Sequence, residues 1–196
     1  MVETPQVNTR RDQVYETAAR LFSDLGYDAV DLKLIADAAG LPSSELVDLV
    51  GDKPTLYLDV FTWLHQLQQR ALSPALQDFT PDTAGVQRIC DAFLDFCLSH
   101  PTFVGMWMHR WQGDAADLDI ETPFAKPVLS VMYQLMSPAV QPGVDLEVAI
   151  WDIIWSVHGF VQLGIIGQDG QLHGTDDPAT VARFRAYLHD LIARFT

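Results

Sequence analysis

The sequence predicts an all-α fold of about nine helices. Apolar residues recur at three- and four-residue spacing through most of the chain. Glycine, proline and Asp or Thr caps fall where that pattern breaks. No stretch carries a convincing strand pattern, an internal repeat or a low-complexity run. The 196 residues, 48% hydrophobic and 19% charged, suit one large or two small globular domains.

Residues 1–8 are polar and read as a loose arm. Val14, Ala18, Leu21, Phe22 and Leu25 then make one apolar face, with Thr9 placed to cap the helix and Gly26 to end it. Asp31 caps a short helix over residues 32–39, which Gly40 and Pro42 close. Residues 43–49 form the next, with Leu46 and Val50 inward. A longer helix runs over 53–72. Amphipathic segments follow at 83–99, 102–111 and 123–136, separated by His100-Pro101 and by a loop over 114–122. Residues 144–166 are apolar nearly all round, which predicts burial on more than one side. A polar loop over 167–177 precedes a final amphipathic helix over 178–195.

Composition excludes several classes. No unbroken apolar run reaches the length of a membrane span. The N-terminal residues lack the apolar region of a secretory signal, so a cytoplasmic location is expected. The two cysteines, Cys90 and Cys97, are seven apart. On a helix that separates them by about 10 Å, too far to bridge. The chain carries 12 basic and 26 acidic side chains, for a net charge of −14. Residues 1–60 hold five of the basic and eleven of the acidic ones. Bulk charge therefore gives no nucleic-acid footprint and opposes anionic membranes.

A pattern over Thr9 to Val60 is more specific. LFSDLGYDAV ends a helix, IADAAGL and a short helix follow, and GDK opens a long helix. With Ala18, Leu21, Phe22, Gly26, Tyr27, Ile35, Ala36, Ala39, Gly40, Leu46, Lys53 and Leu56 in register, this resembles the helix-turn-helix domain of TetR-type transcriptional regulators. Farther on, SHPTFVGMWMHRW looks like the helix lining the ligand cavity in one subgroup. Trp155 to Gly159 resembles the W-x-x-H-G signature of that subgroup. The resemblance implies a DNA-binding-like domain over residues 1–52 and a ligand-binding and dimerisation domain over residues 53–196.

In such a module the second helix enters the major groove and flanking cations grip phosphate. The resemblance places Arg10, Arg11, Lys33, Ser43, Ser44, Glu45, Val47, Asp48 and Lys53 at the DNA. Several depart from the family pattern. Asp31 replaces a hydroxyl cap, and Pro42-Ser43-Ser44-Glu45 stands for the usual Ser-Lys-Gly-Thr. Val47 replaces a phosphate-gripping Tyr, and Leu49-Val50 replaces His-Phe. The framework is kept while the contact surface has turned acidic, against the electrostatic force that dominates affinity for DNA.

Aromatic and Met residues are dense between 103 and 155. Core packing accounts for most of them. The resemblance also implies an effector pocket drawn from Phe103, Trp107, Met108, Trp111, Phe124, Tyr133, Trp151, Trp155, His158 and Gln162. His109 and Cys97 are further polar candidates. With no Lys or Arg cluster among them, a small hydrophobic effector fits better than a phosphorylated one. The last two helices suggest a homodimer interface through Val161, Ile165, Phe184, Leu188 and Leu191.

No histidine pair has metal-ligand spacing, so no metal is expected. No nucleophile elbow, P-loop or dinucleotide fingerprint appears, so neither a cofactor nor enzymatic activity is assigned. The expectation is a TetR-like regulator, a repressor, released from operator DNA by a small apolar effector. The alternative is a ligand-binding or interaction module of the same fold that has lost autonomous DNA binding.

Overall fold

The computed structural model describes residues 5–196, with side chains from Arg10 onward. Among the described residues there are nine α-helices: α1 Pro5–Leu25, α2 Leu32–Ala39, α3 Ser43–Val50, α4 Lys53–Gln77, α5 Thr83–Ser99, α6 Pro101–Trp111, α7 Lys126–Met136, α8 Leu146–Leu163 and α9 Pro178–Ala193. Two short strands, β1 Ile165–Ile166 and β2 Leu172–His173, pair antiparallel. The all-α class stands, with this small hairpin added where the sequence suggested helix and loop.

Helix boundaries follow local chemistry. Asp31 accepts the Leu34 N–H at 2.7 Å, as its capping position predicts. Gly40 takes φ 67°, and the Gly40 and Leu41 N–H groups close α2 on the carbonyls of Asp37 and Ala36. Thr9 is not the cap expected, because α1 already begins at Pro5. Residues 1–4 of the proposed arm lie outside the described residues. α4 runs past its expected end and through Pro74 to Gln77. A proline removes one backbone donor, and so near a helix end it interrupts little ladder.

By spatial contact the chain divides into two compact units, Met1–Gln66 with Thr102–Phe124, and Leu67–Pro101 with Ala125–Thr196. The first unit packs α1, α2, α3, the start of α4 and α6. Its apolar framework includes Val14, Ala18, Phe22, Ile35, Ala36, Leu46, Leu56, Val60 and Leu64, all buried. An aromatic chain runs through it. Tyr57 meets Phe22 edge-on at 4.9 Å, Tyr27 at 4.7 Å and Phe61 at 5.0 Å. Phe61 continues to Trp107 and Phe124 at 5.3 and 5.5 Å. At Gly105, a Cβ would stand 2.0 Å from the Ser23 Oγ, so only glycine lets α6 approach α1 this closely.

The second unit packs α5 against α8 and α9, and α7 against α8. Arg185 on α9 pairs with Asp91 at 2.8 Å and also with Asp95, both on α5. His189 meets the Asp91 carboxylate at 2.9 Å. Phe160 stacks on Phe184 at 4.0 Å. Cys90 and Cys97 are free and buried. Burial pushes the Cys90 thiol up to about 12 and that of Cys97 upward as well, so neither forms a reactive thiolate.

α8 is the departure from expectation. It is long and apolar enough to cross a membrane by length and composition, yet only 33% of it is buried. Its packed face, carrying Ile150, Ile153, Val157, His158 and Phe160, serves the second unit. Val148, Trp155 and Leu163 remain 56%, 56% and 66% exposed. Burial on more than one side is therefore not met within one copy of the chain.

His158 sits in the packed face, 2% exposed and beside the Phe93 ring at 5.8 Å. Burial lowers its pKa to about 4, so the neutral ring is the folded form at neutral pH. The unfolded chain takes up a proton near 6.5 that the folded chain refuses. The stability that this asymmetry contributes is complete above pH 6.5 and falls as pH drops toward 4, by roughly 3 kcal/mol in all. Urea unfolding of the parent and of His158→Phe between pH 7.5 and 4.5 checks this. The parent should lose stability relative to the variant as pH falls, whereas parallel profiles would remove His158 from the account.

Candidate nucleic-acid interface

α2, the turn at Gly40 to Pro42, and α3 form a helix-turn-helix within the first unit. Leu46 and Val50 anchor α3 inward, with Leu46 fully buried. Ser43, Ser44, Val47 and Asp48 are exposed. Val47 is 46% exposed, unusual for a branched apolar side chain on a polar helix face.

The candidate cations divide into two kinds. Arg10 pairs with Glu45 of α3 at 2.6 Å, and Lys33 with Asp37 one turn along α2 at 2.7 Å. Both pairs are solvent-exposed, and such pairs exchange partners at little cost. Arg11 and Lys53 have structural partners instead. The Arg11 Nη2 donates to the Leu49 carbonyl at 2.8 Å, tying α1 to α3. Lys53 Nζ donates to the carbonyls of Tyr27 and Val30, both at 2.9 Å, and lies 4.1 Å over the Tyr27 ring. Three favourable contacts hold that ammonium on the turn between α1 and α2.

The amide side of the same turn is held from far along the chain. Asp114 accepts the Tyr27 N–H at 2.6 Å and the Asp28 N–H at 3.0 Å. His109 Nε2 lies 3.1 Å from the Ser23 carbonyl. Arg110 donates to the carbonyls of Asp114 and Ala115 at 3.2 and 2.6 Å. It also grips Glu121 through two bonds of 2.7 and 2.8 Å, which lower the Glu121 pKa. Ala115 is buried at φ 53°, a conformation that alanine adopts only when its surroundings enforce it. Nothing local in the sequence marks Asp114. The Gly113-Asp114 pair reads as an ordinary turn, and its partners are 86 and 87 residues away.

The pocket candidates fall in both units. Phe103, Trp107, Met108, Trp111 and Phe124 belong to the first, and Tyr133, Trp151, Trp155, His158 and Gln162 to the second. Phe103, Trp107, Phe124 and His158 are buried. Trp111, Trp155 and Gln162 are exposed, so they do not line an interior cavity of their own units. Among the dimer candidates, Phe184 and Leu188 are buried within the chain, Phe184 stacked on Phe160. Val161, Ile165 and Leu191 are half-buried. From α8 to α9 the exposed large apolar residues are Val148, Trp155 and Leu163 on α8, Ile166 and Leu172 on the hairpin, and Tyr187 on α9. Among the described residues no cluster of His, Cys, Asp or Glu could hold a metal ion.

No protein-family model matches the chain. One curated relative is an uncharacterized HTH-type transcriptional regulator, YhgD of Bacillus subtilis (strain 168), 21% identical over 68% of this chain and 71% of its own. Among solved structures, the TetR-family transcriptional regulator PfmR of Thermus thermophilus matches with a TM-score of 0.68 and 20% identity, over 99% of this chain and 97% of that one. AibR, solved with isovaleryl coenzyme A and operator DNA, matches at 0.70 and 19% identity, over 93% and 97%. The fold is thus that of the TetR-family transcriptional regulators.

Asp114→Ala tests the long-range anchor. It leaves the part-buried Tyr27 amide without its acceptor, a change that costs about 1–3 kcal/mol, while the exposed Asp28 amide turns to water. Hydrogen exchange should quicken at these two amides and along α2, while α5 and α9 exchange as before. Unchanged protection at Tyr27 and Asp28 would show that the turn holds without Asp114.

Proposed function

We propose that the chain is a ligand-modulated transcriptional regulator, a repressor that binds operator DNA as a homodimer in the cytoplasm. The observation that carries this reading is the helix-turn-helix itself. Its second helix is anchored by Leu46 and Val50 and presents an open face, on a fold shared with regulators over nearly the whole chain. AibR, of the same fold, is known with both an acyl coenzyme A and operator DNA, so one such chain can hold both kinds of partner. Functionally, residues 1–52 would engage DNA, with residues 53–196 binding the effector and the second copy. In this reading Trp155 and His158 belong to the W-x-x-H-G signature of the subgroup.

Recognition helices of a two-fold dimer meet half-sites about 34 Å apart. A small hydrophobic effector that favours a different spacing lowers operator affinity by population shift. The effector and the operator must then weaken each other's binding equally. The second copy covers the exposed face of α8, where Val148, Trp155 and Leu163 lie exposed along one helix. Of the cations, Lys33 can exchange its exposed carboxylate for a phosphate, while Arg10 stays on Glu45 and Lys53 acts by holding the turn.

One observation favours a second reading. Of the five basic side chains in residues 1–60, Arg10, Arg11, Lys33 and Lys53 all have partners within the chain. A module so neutralised could persist as a fold that senses a ligand or pairs with another protein without binding DNA by itself.

Capture of fragmented host DNA at low salt and near 150 mM separates the two readings. A palindromic site enriched at both salts is the expected result, and enrichment at neither favours the second reading. On that site, Lys53→Met should weaken binding and leave the salt slope unchanged. If Lys53 instead neutralises a phosphate, the slope falls by about 0.9 for each phosphate no longer paired. For the assembly, light scattering at micromolar concentration should give twice the chain mass, and Trp155→Glu should halve it. A parent that scatters as a monomer would remove the dimer.

A further inference from the structure

The exposed face of α3 has a chemistry of its own. It presents Ser43, Ser44, Val47 and Asp48, and the helix carries no Lys, Arg, Asn or Gln. Guanine shows two acceptors in the major groove and is read by Arg or Lys, while adenine pairs an acceptor with a donor and is read by Asn or Gln. Neither kind of reader is present on α3. Glu45, a base-reading candidate from sequence, has its carboxylate on Arg10 at 2.6 Å. The exposed carboxylate at Asp48 can only accept. It suits the cytosine amino group, which stands without the acceptor that adenine sets beside its own. Val47, 46% exposed at the flank of the anchors Leu46 and Val50, matches the thymine methyl group.

Resting on the operator-binding reading above, we infer that α3 selects its half-site through pyrimidines, Asp48 taking the cytosine amino group and Val47 the thymine methyl, with no bidentate reading of guanine by Arg or Lys. The Arg10–Glu45 pair has a part in this. It neutralises the Glu45 carboxylate and leaves Asp48 as the acidic group presented by α3. An all-acceptor carboxylate and a branched methyl side chain on adjacent residues then read adjacent base steps from one helical turn.

Selection from random duplexes with the full-length protein, at low salt and near 150 mM, tests the inference. The expected site contains C·G and T·A pairs in each half. Replacing the critical thymine by uracil removes one methyl group and should weaken the parent about fourfold, the worth of one buried methyl. The same replacement should leave Val47→Ala unaffected. Asp48→Asn adds a donor beside the acceptor and should move the preferred pair at its position from C·G to A·T. Both residues are exposed, and thermal melts confirm that the variants remain folded. A site that is enriched yet indifferent to uracil and to Asp48→Asn overturns this inference and leaves operator binding intact. No enriched site at either salt overturns both.

Discussion

The turn between α1 and α2 is the constraint on which the first unit depends. Gly26 takes φ 82° to end α1, and the backbone groups that follow have no helix or sheet to pair with. Lys53 satisfies the carbonyls of Tyr27 and Val30, and Asp114 satisfies the amides of Tyr27 and Asp28. Tyr27 between them packs on Phe22 and Tyr57. A cation from one side and an anion from the other thus fix this short connection and aim the helix pair that follows it. Left unpaired, partly buried backbone groups would each cost more than a surface ion pair returns.

The acidic character of the helix-turn-helix looks different once its carboxylates are assigned. Asp31 caps α2 through the Leu34 N–H, and the Thr55 hydroxyl and N–H at Asp52 lower its pKa. Asp37 and Glu45 have Lys33 and Arg10 as counter-ions. Four carboxylates are therefore committed to local structure. Committed carboxylates keep their charge, so the net charge of residues 1–60 still opposes a phosphate backbone. The same assignments also reduce the cations available to grip it, and so the balance rests on how readily the exposed pairs exchange.

In the second unit, packing and exposure divide α8 lengthwise. His158 and Phe160 look into the unit while Trp155 and Leu163 look out. A chain of net charge −14 keeps this apolar stripe in the open, together with Ile166 and Leu172 of the hairpin. Exposed patches of this kind on otherwise charged proteins mark surfaces that meet other proteins.

How much of this was legible in the sequence depends on the range over which each feature is decided. The helices, the Asp31 cap, the Gly26 and Gly40 stops and the inward residues Ile35, Ala36, Leu46 and Val50 were readable. Capping and periodicity act within a turn or two of the chain. The helix-turn-helix was readable for the same reason, because its framework is a run of local spacings. The hairpin was missed because two-residue strands leave no periodic signal. Which apolar residues of α8 and α9 face out could not be read either. Phe184 and Leu188 resemble Trp155 and Leu163 in hydrophobicity, and only the packing of α5 against α9 decides that the first two are buried. The roles of Lys53 and Asp114 belong wholly to the tertiary structure. Each side chain is committed by backbone groups 23 to 87 residues away, and a spacing pattern carries no record of contacts at that distance.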